Sequence, residues 1–191
     1  RSRDDAEETA AAVRERGRQA IAIQCNVADD AAVRQMVEQC RREFGRLDVV
    51  VNNAGMTHFV PHADLEALSE EKWDEILAVN LKGPFFVCRA AIPLLKASGE
   101  GSIVNVASML GHVGSTPVKQ AHYCASKGAV VNLTRELALQ IAEHATRFGA
   151  PHGVRCVVLI GGVGMGAQIE GLKHASICVA TPGRLLDHMG Q

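Results

Sequence analysis

The chain has 191 residues, 47% of them apolar, and sets 20 Lys and Arg against 21 Asp and Glu. That is apolar material for one good core, and the near-neutral balance excludes an overall basic field, so nucleic acid would have to be held by a local patch. The six cysteines (Cys25, Cys40, Cys88, Cys124, Cys156, Cys178) make no C-x-x-C pair and no zinc spacing with histidine, and no run reaches the roughly 20 apolar residues of a bilayer span, which points to reduced, space-filling thiols in a cytoplasmic protein and to no membrane partner.

In chain order, Arg1 opens a charged run that predicts a helix over residues 4–16, and a start on arginine rather than methionine leads to the expectation of preceding sequence. "AIAIQCN" (20–26) predicts a strand, 29–44 a helix, "LDVVVNN" (47–53) a strand, and 69–97 a long helix. "GSIVNVAS" (101–108) predicts a third strand, followed by a loop of more than a dozen residues and a helix over 123–148. "VRCVVLIGG" (154–162), a short helix over 166–174 and "SICVAT" (176–181) complete the pattern. Strands alternating with helices predict an α/β fold with a mostly parallel sheet, here as a single domain over residues 1–191. Near-continuous apolar runs predict strands covered on both faces.

Ligands of open α/β sheets bind outside the carboxyl ends of the strands, and polar residues gather there. After "DVVV" stands Asn52-Asn53-Ala54-Gly55, a turn of small residues that lets backbone approach a bound group. Ser108 ends the third strand. Tyr123 and Lys127 lie one turn apart on the next helix, so the ammonium faces the phenol, favours its ionised form and suits it to proton transfer between a carbonyl and an alcohol. Asn80 falls among the apolar positions Trp73, Ile76, Leu77, Leu81 and Phe85 of the long helix. An unsatisfied buried amide costs about 1 to 3 kcal/mol, so Asn80 is expected to hold a water or to stabilise a kink, and Pro84 frees its carbonyl one turn ahead.

"NNAG" (52–55), "VNLKGPFFVCRAAIPLL" (79–95), "GSIVNVAS" (101–108) and "YCASK" (123–127) together resemble short-chain dehydrogenases/reductases of the classical type, in order and spacing, over about residues 1–140. The resemblance implies a Rossmann-like three-layer fold and an NAD(P)-dependent oxidoreductase that interconverts a small-molecule carbonyl and a secondary alcohol. It places the catalytic tetrad on Asn80, Ser108, Tyr123 and Lys127. It places cofactor contacts on Asn26 and Val27, on Asn52, Ala54 and Gly55 of "NNAG", and on Tyr123 and Lys127, leaving NAD against NADP open. Arg1 and Arg3 lie about where some members hold an NADP 2′-phosphate. The family habit of pairing through the helices that bear Asn80 and Tyr123 implies a homo-oligomer. The family's first strand, T-G-x-x-x-G-x-G turn and second strand have no counterpart in this sequence, so cofactor binding is expected to be weakened and the strand at 20–26 to lack its usual neighbour.

The tail resembles another family. "LTRELALQIAEHATRFG" and "VVLIGGVGMGAQIEGLKHASICVATPGRLLDHM" are similar to the first RecA-like domain of DEAD-box RNA helicases over about residues 133–191, so that residues 141–191 would complete the sheet as a helicase-like portion of a chimera. The resemblance implies weak RNA-backbone contact from Thr134, Arg135, Glu136, Gly161, Gly162, Thr181, Pro182, Gly183 and Arg184. The phosphate loop and the D-E-A-D tetrad have no counterpart, which excludes an ATP-driven motor. In this view "GVRCVVLIGG" stands in for the reductase's next strand. Gly162, Gly164 and Ala167 also fit G-x-G-x-x-G/A, an alternative dinucleotide turn.

Overall fold

The computed structural model describes residues 3–60, 65–99, 101–113, 120–144, 156–159, 165–172 and 177–180. Helix α1 (Arg3–Glu15) is followed by α2 (Asp30–Phe44), β1 (Val49–Asn52), α3 (Glu70–Leu77), α4 (Gly83–Ser98), β2 (Ser102–Asn105), α5 (Ala121–His144), β3 (Cys156–Leu159), α6 (Met165–Leu172) and β4 (Ile177–Ala180). All expected helices are present within the described residues.

Helix α2 shows how local chemistry sets these bounds. The Asp29 carboxylate accepts from Ala31 N (2.8 Å) and Ala32 N (3.2 Å), satisfying the helix's orphan donors. Gly45, at φ 73°, closes the other end by donating to Arg41 O. Between the caps, Val33 and Val37 face inward. Asp30 binds Arg89 of α4 at 2.7 Å, and that guanidinium, with Arg34, holds the carboxyl below the usual carboxylate range.

The long helix expected over 69–97 is one rod from Glu70 to Ser98, interrupted by a π turn at Ala78–Lys82. Pro84 has no N–H to offer the Asn80 carbonyl, and Gly83 N reaches back to Ala78 O, so the helix widens at the predicted kink. The rod is long and apolar enough to cross a membrane by length and composition only, while Asn80, Lys82 and Arg89 keep it from being a continuous apolar run. Its inward face is nonetheless spent on α2, β1 and α5, where Val87, Cys88, Ala91 and Leu95 join Val33, Val50, Ile103 and Leu137 in the core.

Among the described residues, four parallel strands form one sheet in the order β1-β2-β4-β3. Two expectations are corrected here. Residues 20–26 make no strand, and Cys25, with the following Val27, packs against the core. Apolar alternation supplies the packing but not a ladder partner, and β1 is left as a sheet edge. β2 pairs with β4, and the strand from "VRCVVLIGG" lies beyond it as β3. β1 is also covered on one face only: Val50 and Asn52 are buried, whereas Val49 and Val51 are 55% and 58% exposed.

Candidate active site

The carboxyl ends of β1 and β2 feed two loops that meet the N-terminal half of α5. Between them opens a cleft of about 450 Å³ lined by Asn53, Gly55, Met56, Thr57, Phe59, Val106, Ala107, Gln120, Tyr123 and Lys127. Lys127 is 5% exposed, and its ammonium donates to Val106 O at 2.8 Å. Burial pushes its pKa below the ordinary lysine value. The same ammonium stands 5.8 Å from the centre of the Tyr123 ring, so the i,i+4 pair faces one space. Tyr123 is half-buried at the wall of the cleft.

Asn80 stands behind that wall with its amide fully engaged. Its Oδ1 accepts from Met56 N (2.8 Å), and its Nδ2 donates to Met56 O (2.9 Å) and to Ser126 Oγ (3.0 Å), whose hydroxyl in turn donates to Tyr123 O (2.8 Å). Of the roles expected for Asn80, the irregularity in its helix is present as the π turn, and its side chain also clamps the backbone after "NNAG". Gly55 sits against this clamp, where an added Cβ would stand 3.4 Å from both Asn80 Oδ1 and Lys127 Nζ. Ser108 heads the 3₁₀ turn Met109–Gly111, its hydroxyl accepting from Leu110 N at 3.2 Å. It lies in the loop flanking the cleft but not among the lining residues.

The other sequence-derived contacts scatter. Gly55 lines the cleft beside Tyr123 and Lys127, while Ala54 is exposed next to it. Asn52 turns into the core, where its Nδ2 donates to Asn105 Oδ1 (2.8 Å) and to Cys88 Sγ (3.4 Å). Asn26 is exposed and its side chain accepts from Ala28 N, and Val27 packs on Gly83. Thr134 is also an internal residue: it accepts from Asn105 Nδ2 and donates to Val130 O, so its hydroxyl is occupied between β2 and α5. Gly161, Gly162, Gly164, Thr181, Pro182, Gly183 and Arg184 lie outside the described residues.

Sequence reasoning missed Asn53, Thr57, Gln120, Ser126 and the Asn52–Asn105 pair. A signal for the last was legible, since the runs "VVVN" and "SIVN" each end in asparagine, and the two face each other in register. It also missed His122, wholly buried, which stacks on His58 (6.3 Å) and meets Trp73 edge-on (6.2 Å). His58 approaches Glu75 of α3 at 2.9 Å, a second tether for the loop after β1.

A phenol and a desolvated ammonium at the carboxyl edge of an open parallel sheet define a site suited to proton transfer. Residues 1–163 match the short chain dehydrogenase family. The chain is 39% identical over 149 residues to an oxidoreductase of Thermotoga maritima, covering 78% of this chain and 57% of that protein. It is 36% identical to the 3-oxoacyl-[acyl-carrier-protein] reductase of Staphylococcus aureus, covering 78% and 58%. Among solved structures, a 3-ketoacyl-ACP reductase from Sinorhizobium meliloti aligns with a TM-score of 0.69 at 37% identity (75% and 56% of the two chains), and an NAD⁺-bound xylitol dehydrogenase with 0.67 at 33% (82% and 56%). The chain belongs to the short-chain dehydrogenase family and has its Rossmann-like fold with a parallel sheet. It spans somewhat more than half the length of these relatives. The match runs on to residue 163, past the boundary near residue 140 expected for the reductase-like portion.

Proposed function

We propose that the chain is an NAD(P)-dependent oxidoreductase that interconverts a small-molecule carbonyl and a secondary alcohol. The observation that carries this reading is the buried Lys127 ammonium one helical turn behind Tyr123 in a cleft walled by the "NNAG" loop. The residues present fit the nicotinamide-ribose end of a dinucleotide, because Gly55 leaves a cradle open beside Lys127 and Asn80. Asn53, Gly55 and Lys127 would hold that end, and the bound cofactor would supply or accept hydride at the substrate carbon. Tyr123 delivers the proton to the substrate oxygen, and Lys127 stands beside its ring as the neighbouring ammonium. Ser108 holds the same oxygen, and Asn80 acts as a positioning residue by fixing Met56 and, through Ser126, the first turn of α5. Reductases of 3-oxoacyl groups among the relatives support a carbonyl substrate. In this reading residues 1–191 act as one domain and associate as a homo-oligomer.

Titration of NADH and NADPH fluorescence, with turnover of ketones followed at the nicotinamide band, tests the proposal. We expect saturable binding of one of the two cofactors and a loss of turnover of at least about 100-fold in Tyr123→Phe with binding retained. Absence of nicotinamide binding at millimolar cofactor would overturn it. RNA contact from the tail has weaker support, since Thr134 is committed to the core, which leaves Arg135 and Arg184 as its basic contacts. Salt-sensitive RNA binding abolished in Arg184→Ala would favour that reading instead.

A further inference from the structure

Beyond the phenol and the ammonium, the cleft has a second polar wall that proton transfer leaves unused. Gln120 immediately precedes α5, is 7% exposed and lines the cleft. Its backbone carbonyl accepts from Cys124 N at 2.8 Å, which fixes it in the helix's opening turn. Its side-chain Oε1 accepts from the Thr57 hydroxyl at 3.3 Å. With the amide oxygen engaged by Thr57, the group it has left to offer a ligand is its NH₂, a neutral donor. Tyr123 lies three residues further along, and side chains at that spacing are neighbours, with Cβ atoms roughly 5 to 6 Å apart. Both side chains line the same cleft, so a substrate whose carbonyl oxygen meets the Tyr123 hydroxyl shares that space with the Gln120 amide. Phe59, 82% exposed on the same lining, gives the mouth an apolar lip against which the remaining carbon chain lies.

We propose that Gln120 is a specificity-determining residue that donates to a second oxygen acceptor on the substrate, so that the site selects carbonyl compounds carrying an ester, thioester, amide or hydroxyl oxygen close to the carbonyl being reduced. Thr57 is its positioning residue, holding the amide in the orientation that presents its N–H groups. The inference rests on the oxidoreductase reading and adds the substrate's second point of recognition.

The test compares a 3-oxo ester, ethyl acetoacetate, with a ketone of similar size lacking the second oxygen, 2-heptanone. Because the ester group activates its ketone in any enzyme, the informative quantity is the change in the ratio of kcat/KM values when Gln120 is altered. Gln120→Leu keeps the volume and removes the donor; Gln120→Glu keeps the shape and replaces the donor with an acceptor, which guards against a folding defect in the first variant. Both are expected to lower the ratio about 5- to 10-fold, chiefly through KM for the ester, with Thr57→Val lowering it less. Saturation-transfer NMR of ethyl acetoacetate without cofactor should weaken in parallel. A ratio unchanged in both Gln120 variants, with turnover of both compounds intact, overturns the role of Gln120 alone. Failure of the unaltered chain to bind nicotinamide or reduce either compound overturns the oxidoreductase reading, and this inference with it.

Discussion

Lys127 holds a charge where water scarcely reaches, donating to the Val106 carbonyl and with a pKa pushed down by desolvation. A lysine whose pKa is lower in the folded state than in the unfolded chain costs stability while both forms are charged. That cost fades as pH rises through the folded value toward the unfolded one, because the unfolded chain then binds more protons. Urea melts of the unaltered chain and Lys127→Met between about pH 7 and about pH 10 should therefore show the former gaining stability relative to the latter, while turnover is lost in the variant at every pH. A flat difference across that range would remove burial as the source of the shift. Tyr123, Lys127 and Asn80 were legible in the sequence because helical spacing alone brings the first two together and a polar residue amid Trp73, Ile76, Leu77 and Leu81 has to find partners. Gln120 and Thr57 were not, since their meeting depends on the path of two loops, and Asn52 was misjudged because strand register decides which side of "NNAG" faces the cleft.

At the scale of elements, two glycines set how deeply the Ser108 turn seats on α5. A Cβ on Gly111 would stand 2.7 Å from Lys127 C and 2.8 Å from Gly128 N, while one on Gly128 would stand 3.1 Å from Gly111 O. The contact is backbone to backbone, so nothing flexible can yield. Gly111→Ala is expected to push the turn off the helix, lowering stability by about 1 to 3 kcal/mol and displacing both Ser108 and Lys127. Thermal melting with a parallel turnover measurement checks this, and a variant with unaltered melting and kinetics would refute it. The long helix over Glu70–Ser98 was readable down to its π turn, because Pro84 announces which carbonyl it frees. The contact between Gly111 and Gly128 was not, because a glycine in a loop reads equally well as a turn and as a close approach.

For the whole molecule, alternation of strands and helices was enough to anticipate a parallel α/β sheet, yet not its order or the loss of the strand at 20–26. Apolar period says which side chains face inward, whereas ladder pairing depends on what lies alongside. The outcome is an edge strand whose Val49 and Val51 are bare on one face. If that face supports self-association, Val49→Thr with Val51→Lys should shift sedimentation toward the monomer without lowering the melting temperature; unchanged sedimentation would move the contact elsewhere. The placement of β4 between β2 and β3 has a different consequence. It behaves as a keystone: β3 is made first but has no berth in the sheet until Ile177–Ala180 arrives to hold it to β2. During synthesis β3 must wait for residues emerging some twenty positions later, and a protease cut in that interval would cast two strands adrift with a single nick.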